Sequence, residues 1–393
     1  MPKQRPRFKM ALAGLKVIEI AGLAPVPHAG MILADFGAQV IRVDRIMQMG
    51  VISDTLSRGK LSVALNLKSP KGVEAFKRVS SNADVLIEPF RPGTMEKMGL
   101  GPSVLMKENP RLIYARLSGF GQEGPLKHIA GHDINYIATS GVLSLLGRAG
   151  EKPTFPINLL ADFAGGGLMC SMGIMLSLFE RTKSGLGQVI DANMVHGSAY
   201  VSSWLWMGRN MGLFSDDRGK NLLDTGAPFY ETYRTLDGKY MAVGALEPQF
   251  YAKFLQGLGL SDDEDLPSQM SREDWPSMKQ TFASIFATKT QAEWTHIFEK
   301  TDACTTPVLT RDEASEHPHN KFMGHFLRNT KGGHEPAPAP LLSRTPGSPS
   351  TMALPAVGQD TLAVLVEAGY SKKEVKEMCA SGVAEMADMS PKL

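Results

Sequence analysis

At 393 residues and a net charge of +2, with 43% hydrophobic and 21% charged residues, the chain has apolar material for two domains or one large interrupted one. This near-neutral balance excludes a nucleic-acid footprint over the whole surface and leaves room for local basic patches suited to phosphate groups. Three widely spaced cysteines, Cys170, Cys304 and Cys379, supply neither a disulfide framework nor a zinc-ligand spacing, which points to a reducing compartment.

The start of the chain, with Lys3, Arg5, Arg7 and Lys9 and no acid, fits a basic tail or the beginning of an organelle-targeting segment. Alternation of short β-rich runs and helical stretches follows. Strands are expected at Lys16–Ile20, Gln39–Asp44, Ser62–Leu67, Asp84–Glu88 and Leu112–Leu117. Helices are expected from Pro25 to Phe36 and from Pro70 onward, with proline in the first turn. Such βαβ units build an α/β, Rossmann-like domain around a mainly parallel sheet. From Ile134 to Phe214 the pattern is largely helical, broken by a strand at Gln188–Asp191. The apolar run Gly166–Phe179 is too short to span a membrane and reads as a buried helix, opened by Gly165-Gly166-Gly167. Three glycines there lower helix propensity, and close packing or ligand approach is expected to offset the loss.

Near residue 225 the character changes. Phe229–Thr235 and Lys239–Val243, joined through Asp237-Gly238, form a hairpin signal. Helices at Pro248–Leu258, Arg272–Phe286 and Gln291–Phe298 and a strand at Cys304–Leu309 complete a smaller α+β domain. His334–Pro355 reads as an extended Pro/Ala-rich connector, and helices return at Asp360–Ala368 and Lys372–Cys379. The expected division is 1–224 for the large domain, 225–332 for the small one and 333–393 for a return to the large domain.

Ligands of parallel sheets bind beyond the carboxyl ends of the strands. Arg45 follows the second strand, Lys68 the third and Arg91 the fourth. Each alone fits a solvated charge; together they suit an anionic ligand with several phosphates. No Gly-x-Gly-x-x-Gly follows the first strand and no Walker sequence occurs, which disfavours nicotinamide dehydrogenases and P-loop nucleotidases. Beyond the fifth strand lies Ala130-Gly131-His132-Asp133-Ile134-Asn135-Tyr136, and about thirty residues later Asp162 precedes the three glycines. A base and an acid beside glycines could flank one carbon atom; a structural histidine and a helix N-cap fit the same residues.

These pieces, with Leu33-Ala34-Asp35-Phe36-Gly37-Ala38, Arg42-Val43-Asp44-Arg45, Asn158 to Cys170, Gly185 to Met194 and Thr301-Asp302-Ala303-Cys304, resemble the racemase branch of the family III CoA-transferase superfamily. The resemblance covers most of the chain and is weakest at Met47–Thr55 and after His334; the family more often has Asp where Asn66 stands. It implies an interlocked homodimer and inversion of (2R)- and (2S)-2-methylacyl-CoA thioesters. It implies His132 and Asp162 as the two bases, Glu247 as a third catalytic residue, and no metal or cofactor, CoA being part of the substrate. CoA contacts are implied at Arg45, Leu65, Asn66, Leu67, Lys68, Gly131, Asp133, Ile134, Asn135 and Tyr136, and Arg91 joins them by its strand-end position. Branched fatty acyl-CoAs and bile-acid precursors are the implied substrates.

The chemistry fits these roles. Inversion through a planar enolate needs a base on one face and an acid on the other. Asp162 must then hold a proton near neutral pH, through desolvation or a negative neighbour such as Glu247. The backbone N–H of Asp133 suits the enolate oxygen if a helix begins there. Met169, Met172 and Met175 suit an adaptable acyl surface or ordinary core. The rival within the superfamily is a CoA transferase with Asp162 as nucleophile, for which a base at His132 is not required. Pro391-Lys392-Leu393 differs from a peroxisomal address at one position. With the resemblance it implies recognition by the import receptor and a peroxisomal location, while the basic, acid-free start from Pro2 to Lys9 points to mitochondria as a second site.

Overall fold

The computed structural model describes residues 10–46 and 54–387; Lys3 to Lys9, residues 47–53 and the terminal Pro391-Lys392-Leu393 lie outside the described residues. The chain forms two compact units: residues 1–140, 156–201 and 324–393 make the first, and residues 141–155 and 202–323 the second. The division thus falls earlier than residues 224 and 332, and the second unit also takes up 141–155. Arg148 pairs with Glu231 through both guanidinium nitrogens at 2.6 and 2.8 Å, and Arg218 donates to the Ser144 carbonyl at 3.0 Å, tying that loop to its unit.

In the first unit the strands are β1 (Lys16–Ile20), β2 (Gln39–Asp44), β3 (Leu61–Leu65), β4 (Val85–Glu88), β5 (Ile113–Ser118) and β6 (Val189–Asn193). Strands β1 to β5 are buried almost throughout, as a parallel sheet covered on both faces requires. The helices Pro25–Asp35, Pro70–Ser80 and Pro102–Glu108 each begin at proline, whose missing N–H costs nothing in a first turn. Charged side chains inside the sheet layer are paired: Lys60 with Glu19 at 2.7 Å, Arg42 with Asp44 at 2.9 Å, Arg58 with Asp35 at 2.6 Å and Arg116 with Glu88 at 2.9 Å.

The apolar helix begins earlier than the three glycines. Leu159–Leu168 is a π-helix that runs directly into an α-helix, Met169–Ser184. The glycines serve close packing: a Cβ on Gly165 would lie 2.6 Å from Ser198 N, and one on Gly167 would lie 2.6 Å from the His28 ring and 2.8 Å from the Pro25 carbonyl. Together the stretch is 26 residues, and an 18-residue window within it has a mean hydropathy of 1.6, long and apolar enough by composition to cross a membrane, which the shorter run read from sequence is not. Its inner face packs on β5 and β6, with Arg181 paired to Asp84 at 2.8 Å. Its outer face exposes Leu168, Met172, Leu176 and Phe179.

The second unit carries an antiparallel sheet of β7 (Tyr230–Arg234), β8 (Tyr240–Gly244) and β9 (Thr305–Pro307) in that order. Gly238, at φ 76°, supplies the left-handed residue of the hairpin turn. Its core is aromatic, with Phe254, Phe282, Phe286, Trp294 and Phe298 fully buried on the helices Pro248–Leu258, Trp275–Phe286 and Gln291–Phe298.

The chain returns to the first unit through β10 (Phe326–Arg328) and β11 (His334–Pro336), which pair antiparallel. The segment expected to be an extended connector therefore opens as a strand, and the return begins at Gly324. The helices Thr361–Glu367 and Lys372–Ala380 follow, then β12 (Ala384–Glu385), antiparallel to β3. Ser371 and Glu374 cap the second of these reciprocally. The sheet order is β12-β3-β2-β1-β4-β5-β6. β1 and β4 are parallel neighbours, but the order of strand addition switches sides between them, with β2 and β3 on one side and β4 to β6 on the other; a crevice opens at such a point beyond the carboxyl ends.

Candidate active site

The chain leaves β5 at the carboxyl edge and turns through Gly119-Phe120-Gly121 toward His132. His132 is the N-cap of the helix Asp133–Thr139, in extended conformation, and its backbone N–H donates to Asn135 Oδ1 at 3.1 Å. Its ring is exposed. Gly131 is required by crowding: a Cβ would lie 2.7 Å from the Tyr136 ring. The Tyr136 hydroxyl donates to the Gly131 carbonyl, and its ring packs edge-on against Phe120 at 5.1 Å. The helix expected to begin at Asp133 does begin there, so its first N–H has no partner within the helix.

Asp162 sits in the first turn of the π-helix; the N-cap is Asn158, so the helix-cap reading of Asp162 does not hold. π-Helical geometry is uncommon and recurs at functional sites. Ile157, at φ 55°, turns the chain into it, a costly conformation for a β-branched residue. Asn158 Nδ2 donates to Asp162 Oδ2 at 3.2 Å. The Asp133 carboxylate reaches across: its Oδ2 accepts from the backbone N–H groups of Ala161 at 2.7 Å and Asp162 at 2.8 Å. Residues 132–133 and 161–162 are thereby fastened to each other.

Burial pushes the Asp162 carboxyl above the usual carboxylate range; the Asn158 hydrogen bond opposes this, the Asp133 charge adds to it and His132 pulls it down. Within this unit the negative neighbour is Asp133. Burial also raises the Tyr136 phenol, with Asp162 adding to the rise and Arg91 opposing it. Arg91, Tyr136, Asp133, His132 and Asp162 thus share one electrostatic site at the carboxyl edge of the sheet. Ile134 and Asn135, on the same helix, are exposed.

The remaining expected CoA positions lie in other loops of that edge. Arg45 is exposed just past β2. Strand β3 stops at Leu65, whose side chain is in the core, leaving only its backbone for a ligand. Asn66 is occupied in the turn, donating to the Gly382 carbonyl at 3.2 Å and accepting from Lys68 N at 3.1 Å. Leu67 and Lys68 line a cleft of about 660 Å³ with Lys77, Lys97 and Glu74, a lining with three ammonium groups to one carboxylate, suited on balance to phosphates. Arg91 donates to the His128 carbonyl at 3.1 Å. Glu247 belongs to the second unit, exposed as the N-cap of Pro248–Leu258. Met169 and Met175 are half-buried and Met172 is exposed, so they are not plain core filler.

Sequence reading missed Asn158, although its spacing of four from Asp162 places the two on one helical face. It also read Asp133 as a CoA contact and for its backbone N–H, not for its carboxylate. An acid directly after the candidate base, at the head of a helix, was the available signal.

Comparison with known proteins places this geometry. The model of the family described as CoA-transferase family III matches residues 12–361. The chain is 57% identical over 376 residues to the alpha-methylacyl-CoA racemase of Mus musculus, covering 96% of this chain and 98% of that protein. It is 56% identical to the alpha-methylacyl-CoA racemase of Homo sapiens with the same coverage. A solved CAIB/BAIF family protein from Brucella suis has the same fold, with a TM-score of 0.79 at 23% identity, covering 92% of this chain and 100% of that one. With the family model spanning both compact units and these identities running through them, the chain belongs to CoA-transferase family III.

Proposed function

We propose that the protein is an alpha-methylacyl-CoA racemase, inverting the carbon that bears the methyl group next to a CoA thioester by transferring a proton from one face to the other. The observation that carries this reading is the join between His132 and Asp162. An imidazole and a carboxyl held above the ordinary carboxylate range lie on two segments locked by the Asp133 hydrogen bonds. A carboxyl raised in this way is better suited to serve as acid while the imidazole serves as base; the reverse reaction exchanges the roles. The α-proton of a thioester is acidic enough for these groups. The Asp133 backbone N–H is assigned to the enolate oxygen. Arg45, Lys68 and Arg91, in the loops past β2, β3 and β4, are assigned to the CoA phosphates, and Glu247 to proton relay.

The protein acts as a homodimer in this reading. Leu168, Met172, Leu176 and Phe179 recur at helical spacing along the outer face of one long helix, a stripe that a second copy would cover. Branched acyl-CoAs are the substrates, peroxisomes the main location and mitochondria a second one, with the terminal tripeptide read by the import receptor.

The test is deuterium uptake from solvent at the α-carbon, measured from each epimer of a 2-methylacyl-CoA. His132→Ala should depress exchange from one epimer more than the other, and Asp162→Ala should show the opposite bias. Equal, mild losses from both epimers in both variants would sink the two-base assignment. An acyl or CoA adduct trapped on Asp162 would make the chain a transferase instead.

A further inference from the structure

We propose that the Asp133 carboxylate is a positioning residue, a strut that sets the distance between His132 and Asp162 and so decides whether both can address one α-carbon. This rests on the two-base reading above and deepens it. Asp133 is 3% exposed, yet no cation among the described residues pairs with it. Its Oδ2 instead takes two backbone N–H groups from a segment 28 and 29 residues away. Those N–H groups open the π-helix, where amides lack intrahelical acceptors and carry partial positive charge. Its Oδ1 is buried without a hydrogen-bond partner among the described residues, so the two backbone N–H groups are the partners the described residues give this carboxylate.

The connectivity gives the strut its effect. His132 and Asp133 are consecutive, as are Ala161 and Asp162, so a shift of either segment must stretch bonds of 2.7 and 2.8 Å. An error of about 1 Å in the placement of reacting groups can cost on the order of a hundredfold in rate. The carboxylate also brings an unneutralised negative charge to the pair, whose other charged or titratable neighbours are Tyr136 and Arg91.

Two variants separate these contributions. Asp133→Asn can still present an oxygen to both N–H groups but carries no charge; Asp133→Ala removes the acceptor. For Asp133→Ala, folded by circular dichroism, kcat should fall at least about a hundredfold with KM little changed. For Asp133→Asn, kcat should stay within about tenfold, and its kcat/KM pH profile should move to lower pH by about half a unit or more. A kcat within about threefold of native in Asp133→Ala would overturn the proposal. So would an Asp133→Asn loss as deep as that of alanine with an unmoved profile. If Asp133→Ala does not fold, Asp133→Glu decides, because it keeps the charged acceptor but lengthens the strut by one methylene: a kcat loss of at least about tenfold with KM little changed supports the strut, and a native kcat refutes it. Asp162→Ala is measured alongside. Full activity there fells the two-base reading, whereas an inactive Asp162→Ala beside a normal Asp133→Ala fells only the strut.

Discussion

Lys60→Met offers a quantitative test of how the sheet layer tolerates charge. The ammonium and carboxylate of the Lys60–Glu19 pair are both fully buried, 2.7 Å apart, and the ammonium also donates to the Pro27 carbonyl at 2.9 Å. The space around them is filled: a Cβ on Gly30 would lie 1.7 Å from Glu19 Oε2. Methionine keeps the volume and removes the charge, leaving Glu19 unpaired where water cannot reach it. Breaking one side of a buried pair costs roughly 3–5 kcal/mol. Burial already raises the Glu19 carboxyl above its ordinary value while Lys60 holds it down, so losing Lys60 raises it further. A raised carboxyl takes up a proton on folding, so the variant's deficit is largest at neutral pH and shrinks as pH falls toward the ordinary carboxylate range. Urea unfolding followed by circular dichroism, at about pH 7.5 and about pH 5.5, measures both effects. The double variant Glu19→Gln, Lys60→Met should recover most of the loss, because neither charge remains. A deficit below about 1 kcal/mol at neutral pH, or one of equal size at both pH values, would refute the reasoning.

Burial raises Glu88 to about 6, so its contribution to stability is present below the unfolded carboxylate value and is lost as pH rises through 6. Glu88→Gln, which cannot titrate, should therefore gain about 2 kcal/mol relative to the native chain between those limits, read from denaturant midpoints across that range. Arg45→Ala should raise KM for acyl-CoA with a smaller change in kcat; a normal KM in steady-state kinetics would remove Arg45 from the CoA site. Deleting Pro391 to Leu393 should move a tagged protein out of peroxisomes in fluorescence images without lowering activity in extracts. Continued import would show that the tripeptide is not the address, and lost activity that the tail belongs to the fold.

Most of the fold was legible. Strands buried on both faces leave uninterrupted runs such as Val40-Ile41, and proline marks helix starts, so β1, β2 and the helix Pro248–Leu258 fall where periodicity puts them. Short strands escaped notice: β12 spans only Ala384–Glu385 and exists because β3 offers it an edge. The assignment of 141–155 to the second unit rests on Arg148 and Arg218, long-range contacts with no local signature. At the site, the identities of His132 and Asp162 could be read from motif resemblance. Their coupling could not, because the Asp133 bonds cross 28 and 29 residues and the π-helical winding of Leu159–Leu168 has no residue pattern of its own.

The interrupted first unit has a consequence for biosynthesis. Ser62 N–H bonds to the Asp360 side chain at 2.9 Å and Ala64 N–H to Thr361 Oγ1 at 3.1 Å, partners separated by 298 and 297 residues. At ribosomal rates of about 5–20 residues per second, that separation amounts to roughly 15–60 s of translation. Throughout that interval β3 is an unpaired sheet edge carrying Val63 and Leu65, the type of surface that recruits other strands. The inserted unit, closed once Met323 has emerged, completes before the unit that surrounds it. A chain released from a ribosome stalled within residues 324–393 would therefore have its inserted unit finished and the sheet of the interrupted unit still open, a natural substrate for chaperones.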